Sequence, residues 1–243
     1  MRIDSTRNPL VRSLAKLRHG RDRRRQGRFL AEGRRLIDGL LAAGWTPEEL
    51  LLRDGLAKPT GWPEATRISP EVAERLSTAT TTSGYLAAFP LPSPREPDPA
   101  TAALVLVAVG DPGNLGTLLR TAAARGLGQV LVVGGADPFG PKALQASAGA
   151  MAALALARLP AEVGPAELTP SVPLVATVPT GGEPPAALPA GPCWLCVGGE
   201  ANGLPEPWIA AADHRLTLPM APGVESLNAA IAGAIALYQL DLD

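Results

Sequence analysis

Aromatic residues, cysteine and histidine are all scarce in this 243-residue chain, with aromatics at 4% and two residues each of Cys and His. So few cysteines exclude a disulfide-stapled framework. No apolar run approaches the roughly 18 residues that a membrane-spanning helix needs. The first residues, MRIDSTRNPLV, also lack the apolar stretch of a secretory signal. The sequence therefore predicts a cytoplasmic protein.

The two cysteines, Cys193 and Cys196, form a C-x-x-C pair within CWLCVGG. Such a pair serves redox chemistry or a metal in some proteins, but here no second Cys or His pair lies nearby to complete a zinc site. No helix follows Cys193 directly, as a thioredoxin-like motif requires. His19 and His214 are isolated in the sequence. We therefore expect a buried strand at these cysteines and no bound metal.

The formal net charge of −1 conceals a strong asymmetry along the chain. Residues 1–35 hold twelve Lys and Arg against three acids, which gives +9, whereas residues 101–243 hold five against eleven, which gives −6. A basic segment of this kind indicates a polyanionic partner, although a solvated, arginine-rich helix has the same composition. Charge alone leaves both interpretations open.

Proline marks one domain boundary. Five prolines lie between residues 90 and 99, a composition typical of a semi-rigid linker. We therefore predict an N-terminal domain over residues 1–92, a linker over 93–100 and a second domain over 101–243. The first domain shows an α/β pattern. A basic amphipathic helix is predicted over PLVRSLAKLRHGRDRRRQGR, followed by short strands such as RFLAEG, EELLLRDG and GYLAAF.

The second domain alternates apolar strands with helices. Strands are predicted at ALVLVAVG, QVLVVGG, VPLVATVP, CWLCVGGE and HRLTLPM, and helices at NLGTLLRTAAARG, KALQASAGAMAALALARL and ESLNAAIAGAIALYQL. Near-continuous Val, Leu and Ala strands between helices are typical of a mostly parallel sheet covered on both faces. The fold class expected from the residues is therefore α/β.

Three polar segments interrupt this apolar pattern. In GDPGNLGTLLRTAAARG the glycines suggest a phosphate loop, but the stretch matches neither a P-loop nor a dinucleotide fingerprint. Asn114 stands where a helix N-cap is expected, and Arg120 lies in a helix otherwise rich in Leu and Ala. On physical grounds Arg120 is equally well a functional group or a surface residue whose guanidinium reaches solvent.

The second and third segments follow later strands. In VGGEANGLP, Gly198 and Gly199 allow close approach to the backbone, and Glu200 lies where open α/β sheets place ligands. In LTLPMAPGVESLNAAIAGAIALY, Ser226 or Asn228 can cap the last helix. That helix has an apolar stripe at Leu227, Ile231, Ile235 and Tyr238, and its small-residue face suits close helix packing. Taken alone, VGGEANGLP is better explained as a turn with an exposed carboxylate, and the last segment also fits a capped helix packed in a core or across a subunit interface.

Together, the order and spacing of these segments resemble the three motifs of the SpoU (TrmH-like) family of RNA 2′-O-ribose methyltransferases. KALQASAGA, with Lys142 and Ser147, resembles the segment between the first two motifs. STRNPLVRSLAKLR and RFLAEGRRLI resemble the substrate-binding domain that many such enzymes carry. The resemblance covers nearly the whole chain.

The resemblance implies a deep trefoil knot in the second domain, S-adenosyl-L-methionine as cofactor, and a homodimer packed through the first and last helices of that domain. From composition and spacing, we expect no membrane and no metal among the partners. The cofactor would lie against Thr177, Gly198, Gly199, Leu218, Met220, Ser226 and Leu227. The residues that match the family's catalytic positions are Asn114, Arg120, Glu200, Ser226 and Asn228.

The implied reaction transfers a methyl group to a ribose 2′-hydroxyl of structured RNA, with ribosomal RNA favoured over transfer RNA. Because arginine in proteins is essentially always charged, Arg120 is better suited to grip a phosphate than to accept a proton, which Glu200 and Ser226 would relay. The expected phosphate contacts of the N-terminal domain are Arg7, Arg12, Arg18, Arg23, Arg24, Arg25, Arg28 and Arg34. The alternatives are a transfer RNA enzyme and a non-catalytic RNA-binding or ribosome-assembly protein.

Overall fold

The computed structural model describes residues 2–224 and 226–241, which form two compact units. The first unit comprises the chain up to Ser93 together with Asp137–Ala152, and the second comprises Pro94–Ala136 and the chain from Ala153 onwards. No helix among the described residues is both long and apolar enough to cross a membrane.

Eleven strands are named here among the described residues, in chain order: β1 (Arg2–Ile3), β2 (Arg28–Glu32), β3 (Glu49–Arg53), β4 (Thr66–Ile68), β5 (Tyr85–Pro90), β6 (Ala103–Val107), β7 (Gln129–Val133), β8 (Ala155–Leu159), β9 (Leu174–Thr177), β10 (Trp194–Gly198) and β11 (His214–Leu216). The α-helices are α1 (Pro9–Ala15), α2 (Gly20–Gln26), α3 (Arg34–Ala42), α4 (Pro70–Leu76), α5 (Pro112–Ala124), α6 (Pro141–Ser147), α7 (Glu206–Ala210) and α8 (Ala229–Gln239).

The first unit is built on a mixed five-stranded sheet in the order β1-β4-β3-β5-β2, with β5 antiparallel to both of its neighbours. The pattern predicts one continuous helix over the basic N-terminal stretch, and this prediction is wrong. The stretch divides into α1, a 3₁₀ turn and α2, because His19 adopts an extended conformation (φ −99°, ψ 130°) between them. Leu14 and Leu17 are nonetheless both buried in the core of this unit.

Residues 137–152 pack with the first unit, whereas the division made from the sequence places them in the second domain. Two contacts account for this packing. The Arg23 guanidinium donates to a carboxylate oxygen of Asp137 at 2.6 Å, and the ring of Phe139 lies 5.2 Å from that of Phe29. Both contacts join residues distant in sequence, so local patterns do not reveal them.

The second unit contains a six-stranded sheet in the order β11-β9-β10-β6-β7-β8, and every pairing in it is parallel. The predicted α/β fold with a mostly parallel sheet is thus confirmed. One predicted element is wrong: KALQASAGAMAALALARL is not a single long helix. Helix α6 ends at Ser147, because Ala148 and Gly149 take left-handed conformations (φ 50° and 87°). The chain then forms β8 against β7.

The cysteines are buried thiols, as the pattern predicts. Cys196 lies within β10 and Cys193 just before it, and neither forms a disulfide. Burial raises the pKa of Cys193 to about 11 and also raises that of Cys196. Thiols with raised pKa values are poor nucleophiles and poor metal ligands at neutral pH. Among the residues that the structure describes, no cluster of potential metal ligands is present.

Candidate active site

The polar residues of the three motifs meet at the carboxyl edge of the second sheet. Asn114 follows β6, Glu200 follows β10, and these two strands are neighbours. From β6 the chain continues to β7 and β8 on one side, and it later returns to β10 and β9 on the other. The crevice at such a reversal of strand order is where open α/β sheets bind ligands.

A continuous hydrogen-bond chain links the three motifs at this crevice. The side-chain amide of Asn228 donates to Oδ1 of Asn114 at 3.2 Å. Nδ2 of Asn114 donates to Oε1 of Glu200 at 2.6 Å. The backbone N–H of Gly110 donates to the other carboxylate oxygen at 3.3 Å. Residues distant in sequence thereby form one polar unit.

Asn114 is free to take part because another residue caps its helix. The N-cap of α5 is Asp111, whose side chain accepts a hydrogen bond from the backbone N–H of Asn114 at 2.8 Å. The prediction of Asn114 as N-cap is therefore wrong. Asp111 precedes Pro112, and proline is favoured in the first turn of a helix because its missing N–H is not needed there. With the cap supplied by Asp111, the Asn114 side chain turns towards Glu200.

Asn228 both caps a helix and serves the site. Its Oδ1 accepts from the backbone N–H groups of Ala230 and Ile231, at 2.9 and 3.2 Å, at the start of α8. Its Nδ2 is left to donate to Asn114. Of the two caps that the sequence allows, Asn228 is the one that forms. Ser226 lies exposed just before it, and Glu225 of the same motif lies outside the described residues.

Hydrogen bonding keeps Glu200 ionised. Partial burial raises its pKa, but this effect is outweighed by hydrogen bonds from Asn114 and from the backbone N–H groups of Glu200 itself, Gly110 and Asp111. The net result is a lowered pKa. At neutral pH Glu200 is therefore an oriented carboxylate, and a lowered pKa makes it a weaker proton acceptor than an ordinary glutamate.

Arg120 lies on the exposed face of α5, two turns beyond the N-cap. Among the described residues it has no hydrogen bond or ion pair. The guanidinium is thus available to a ligand. Asn114, Thr117 and Arg120 are spaced three residues apart, so each is a neighbour of the next on the helix surface.

Gly198 and Gly199 are required by close backbone packing. A Cβ at Gly198 would collide with the backbone of Gly203 and Leu204, and one at Gly199 with the carbonyl of Ala108. The close approach predicted for these glycines is confirmed, and the approaching group is the chain's own backbone. This packing fixes the turn that presents Glu200.

The remaining residues predicted to contact the cofactor lie at or after the carboxyl edge of the second sheet. Thr177 ends β9, and its hydroxyl donates to the backbone carbonyl of Cys196 at 2.9 Å. Leu218 and Met220 are half-buried in the segment after β11, and Leu227 is 37% exposed. Half-buried apolar side chains beside parallel strand ends suit a flat apolar ring such as adenine. The residues present therefore fit a nucleoside-bearing cofactor.

The arginines proposed to bind RNA differ in their availability. The exposed ones are Arg7, Arg12, Arg18, Arg24, Arg25 and Arg34. Arg23 is not available to RNA, contrary to the prediction. Its side chain is buried and donates to Asp137 and to the carbonyls of Leu17 and Arg18. Arg28 is also largely engaged within the fold, donating to Ser13 and Gln26. These two stabilise the first unit.

Two site residues are missed by the sequence analysis, Gly110 and Asp111. Gly110 acts through its backbone N–H, which no side-chain motif reveals. Asp111 had a detectable signal, since an acid directly before a proline at a helix start is typical of an N-cap.

Residues 101–238 match the SpoU rRNA Methylase family, and residues 8–87 match the MRM3-like substrate binding domain. The chain belongs to the SpoU rRNA methylase family. This membership confirms the resemblance carried by the three motifs and the prediction of an RNA methyltransferase.

Similarity to individual members extends over the full length. The chain is 35% identical to an uncharacterized tRNA/rRNA methyltransferase of Synechocystis, over 98% of this chain and 92% of that protein. It is 31% identical to the 23S rRNA (guanosine(2553)-2′-O)-methyltransferase RlmP of Bacillus subtilis, over 98% of each. An AdoMet-bound rRNA methyltransferase from Sinorhizobium meliloti superposes with a TM-score of 0.85 at 27% identity, covering 98% of this chain and 96% of that one.

Proposed function

We propose that this chain methylates a ribose 2′-hydroxyl of ribosomal RNA. The observation that carries the proposal is the hydrogen-bond chain from Asn228 through Asn114 to Glu200, which joins three family motifs at the ligand-binding edge of the sheet. Full-length similarity to the B. subtilis 23S rRNA 2′-O-methyltransferase supports ribosomal RNA over transfer RNA as the substrate.

S-adenosyl-L-methionine is the cofactor, as the sequence predicts, and when bound it supplies a methyl group on a sulfonium. Structural similarity to an AdoMet-bound family member supports this assignment. In this chain Leu218 and Met220 would hold the adenine, with Ser226 and Leu227 closing the pocket. Thr177 and the backbone at Gly198 and Gly199 would form its base.

The chain's own residues must position the ribose hydroxyl, since an alcohol is a poor nucleophile unless it is oriented and relieved of its proton. The free guanidinium of Arg120 suits a bidentate grip on the adjacent phosphate. Glu200 is ionised and is held by Asn114. Its negative charge orients the polar groups around the hydroxyl and stabilises positively charged groups nearby. The sequence predicts that Glu200 and Ser226 relay the proton, but the lowered pKa of Glu200 makes that carboxylate a poor acceptor near neutral pH, so we assign the onward passage of the proton to the exposed hydroxyl of Ser226 and from there to solvent.

The functional form that we propose is a homodimer through α5 and α8. Helix α8 buries its small face against the same unit, where a Cβ on Gly233 would meet Leu118 at 2.5 Å. Its apolar stripe is left outward: Ile231 is 54% exposed, Ile235 36% and Tyr238 61%. The close helix packing expected of the small-residue face thus occurs within the unit. Leu227 continues the stripe to the active site, so a second copy seated there would border the catalytic residues.

Three further parts of the proposal come from the family. The domain assignment is an RNA-binding domain over residues 1–92 and a catalytic domain over 101–243. The catalytic domain is proposed to be a trefoil knot. The positions of two elements are compatible with a knot. Strand β11 lies at one edge of the sheet, and the following helix α8 packs on α5 and β10. The cytoplasm remains the predicted place of action.

The test compares the wild type with Arg120→Ala and Arg120→Lys. S-adenosylmethionine is titrated by calorimetry, and radiolabelled methyl transfer to total ribosomal RNA is followed in parallel. The wild type should bind the cofactor and leave label at one alkali-resistant ribose linkage. Arg120→Ala should lose transfer and keep cofactor affinity, because the guanidinium faces outward from α5.

Arg120→Lys should recover part of the activity, since it restores the charge without the bidentate fork. Loss of cofactor binding in Arg120→Ala would place this side chain in the cofactor pocket and contradict its assigned role. If the wild type binds the cofactor but labels no ribosomal RNA, the substrate assignment is wrong.

A further inference from the structure

A cavity of about 160 Å³ lies wholly within the first unit, and none of its lining residues is assigned to catalysis. It is lined by the end of β2, the start of α3, the end of α4, the loop 77–83 and the start of α6. Four of its lining residues, Leu17, Leu36, Leu76 and Leu144, are buried leucines. The cavity therefore has an apolar floor.

Polar groups surround this floor. Thr78 and Thr81 contribute hydroxyls from the loop, and Gln145 contributes a side-chain amide from α6. Ser83 also lines the wall, but its hydroxyl already bonds the backbone of Tyr85. All four residues are exposed at the mouth. Hydroxyl and amide groups both donate and accept hydrogen bonds, so this wall can recognise an edge that carries both kinds of group.

The loop is held in place by one carboxylate. Glu32, the last residue of β2, accepts hydrogen bonds from the hydroxyls of Ser77 and Thr82 at 2.8 and 3.0 Å. It also accepts from the backbone N–H groups of Thr78 and Ser83, both at 3.3 Å. Both ends of the loop are thus fixed to one anchor, and a preordered wall loses less entropy on binding.

Positive charge borders the mouth. Arg18 lines the cavity, and its guanidinium is directed across to α4 by a hydrogen bond to the carbonyl of Arg75 at 3.1 Å. Arg34 and Arg35 follow directly after Gly33, another lining residue, and both are exposed. Lys142 lies exposed beside the lining residue Pro141. Arg18 thus brings a cation to the lining itself, and the other three cations are exposed neighbours of lining residues in the sequence.

An apolar floor, a hydrogen-bonding wall and a cationic rim together match the chemistry of a nucleotide. The flat ring of a base is apolar on its faces, carries donors and acceptors along its edge, and is attached to a phosphate backbone. Single-stranded RNA is recognised through bases splayed out of the stack. An acyl chain would not use the polar wall, and an acidic peptide would not use the leucine floor.

We propose that this cavity receives one base splayed out of the RNA substrate, while Arg18 holds the adjoining phosphate. The inference rests on the proposed function and adds to it a second point of RNA contact, in addition to the methylated nucleotide. It assigns to the first unit the recognition of an unpaired nucleotide, beyond general attraction by charge.

The test fills the cavity without disturbing its anchor. Ala79 lines the mouth and is exposed, so Ala79→Trp places an indole in the opening while the Glu32 hydrogen bonds remain. Thr80→Trp is the matched control, because Thr80 is the next residue of the loop, exposed and not part of the lining. Both variants are made in the full chain and assayed on transcribed large-subunit ribosomal RNA.

For Ala79→Trp, KM for RNA should rise about 10- to 150-fold, the range that corresponds to losing the burial of one apolar group of side-chain size. The kcat at saturating RNA and the affinity for S-adenosylmethionine should stay at the wild-type level, as should all three quantities in Thr80→Trp. An unchanged KM in Ala79→Trp overturns the proposal, because the enzyme then methylates RNA equally well with the cavity filled.

A second measurement does not depend on methyl transfer. The four nucleoside 5′-monophosphates and ribose 5-phosphate are titrated into the full chain, and amide NMR shifts are followed. At least one nucleotide should shift the amides of Gly33, Thr78 and Ser83 in the wild type and not in Ala79→Trp, and ribose 5-phosphate should shift none of them. Equal shifts with ribose 5-phosphate would identify a phosphate site only and contradict the base pocket. A nucleotide response in a chain that methylates no RNA would refute the proposed function and leave the pocket standing.

Discussion

At the scale of single residues, Glu200 shows how position changes the chemistry of a carboxylate. The side chain is exposed, yet its oxygens accept from Asn114 and from the backbone of Gly110. Hydrogen bonds to the charged form lower a carboxyl pKa, and here they outweigh the effect of burial. Glu200 is therefore suited to hold donors in place and poorly suited to accept a proton near neutral pH.

We predict that Glu200→Gln lowers kcat about 10- to 100-fold, because the amide cannot accept all the hydrogen bonds that orient Asn114. A lowered pKa means that falling pH protonates Glu200 only on the acid side of its ordinary range. The pH profile of kcat across neutrality should therefore keep its shape in the variant. Steady-state rates measured over that range check this.

Glu206→Gln, on the exposed side of α7, is the control and should behave as the wild type. If Glu200→Gln instead abolishes an ascending limb close to neutrality, Glu200 is a general base with a raised pKa. The orienting role would then be wrong.

At the scale of secondary-structure elements, α8 presents two different faces. Ala230, Gly233 and Ala236 are buried inside the unit, and Ile231, Ile235 and Tyr238 are exposed. An exposed stripe of large apolar residues on one helix marks an interaction surface. The stripe begins at Leu227, directly before the cap residue Asn228. Association at this stripe would therefore also support the active site.

We predict that Ile231→Lys converts a dimer into a monomer, as measured by sedimentation equilibrium. Burying an isoleucine contributes about 1.5–3 kcal/mol, and a two-fold interface contains it twice, so the dimer Kd should rise roughly 10²- to 10⁴-fold. The thermal melting of the separated protomer should change little, since Ile231 is exposed within it.

Ala210→Lys, at the exposed end of α7, adds the same charge elsewhere on the unit and should leave the dimer intact. A wild type that sediments as a monomer at all concentrations would refute the dimer. A dimer that survives Ile231→Lys would show that association uses another surface.

At the scale of the whole molecule, charge is divided along the chain, with +9 in residues 1–35 and −6 in residues 101–243. The structure refines this division, because Arg23 is buried with Asp137 and does not contribute to the exposed charge. The exposed arginines that remain belong to the first unit, where the proposed base cavity also lies. Affinity for RNA is therefore expected to depend on salt through this unit.

We predict that the double variant Arg12→Ala, Arg24→Ala weakens RNA binding and lowers the slope of log K against log salt by about 1.4 to 1.8. Each phosphate that a cation neutralises adds about 0.7 to 0.9 to that slope, and the variant neutralises two fewer. Filter binding to ribosomal RNA at a series of salt concentrations measures it. The double variant Arg95→Ala, Arg215→Ala removes two exposed arginines outside the basic segment and should keep the wild-type slope.

Equal slopes for the two double variants would mean that the N-terminal arginines are solvated and do not contact phosphate. Binding would then depend on total charge. That outcome would favour the alternative interpretation of the segment as a solvated, arginine-rich face.

The alternation of apolar strands and helices, the buried cysteines and the three motifs can all be predicted from the amino-acid sequence. These depend on local periodicity and on residue order. The sequence was misleading wherever a local pattern competed with a distant contact. KALQASAGAMAALALARL has helical composition, but the left-handed turn at Ala148 and Gly149 lets β8 complete the sheet. Arg23 belongs by composition to the basic segment, but it is paired with Asp137 across more than a hundred residues.

Only the tertiary structure decided which motif residues act together. Asp111 takes the cap that local rules assign to Asn114, and this leaves Asn114 to join Glu200 with Asn228. The loop anchored on Glu32 likewise forms a cavity from segments far apart along the chain. Sequence patterns report the periodicity of single elements. Hydrogen bonds and cavities depend on the distances between elements, and packing alone sets those distances.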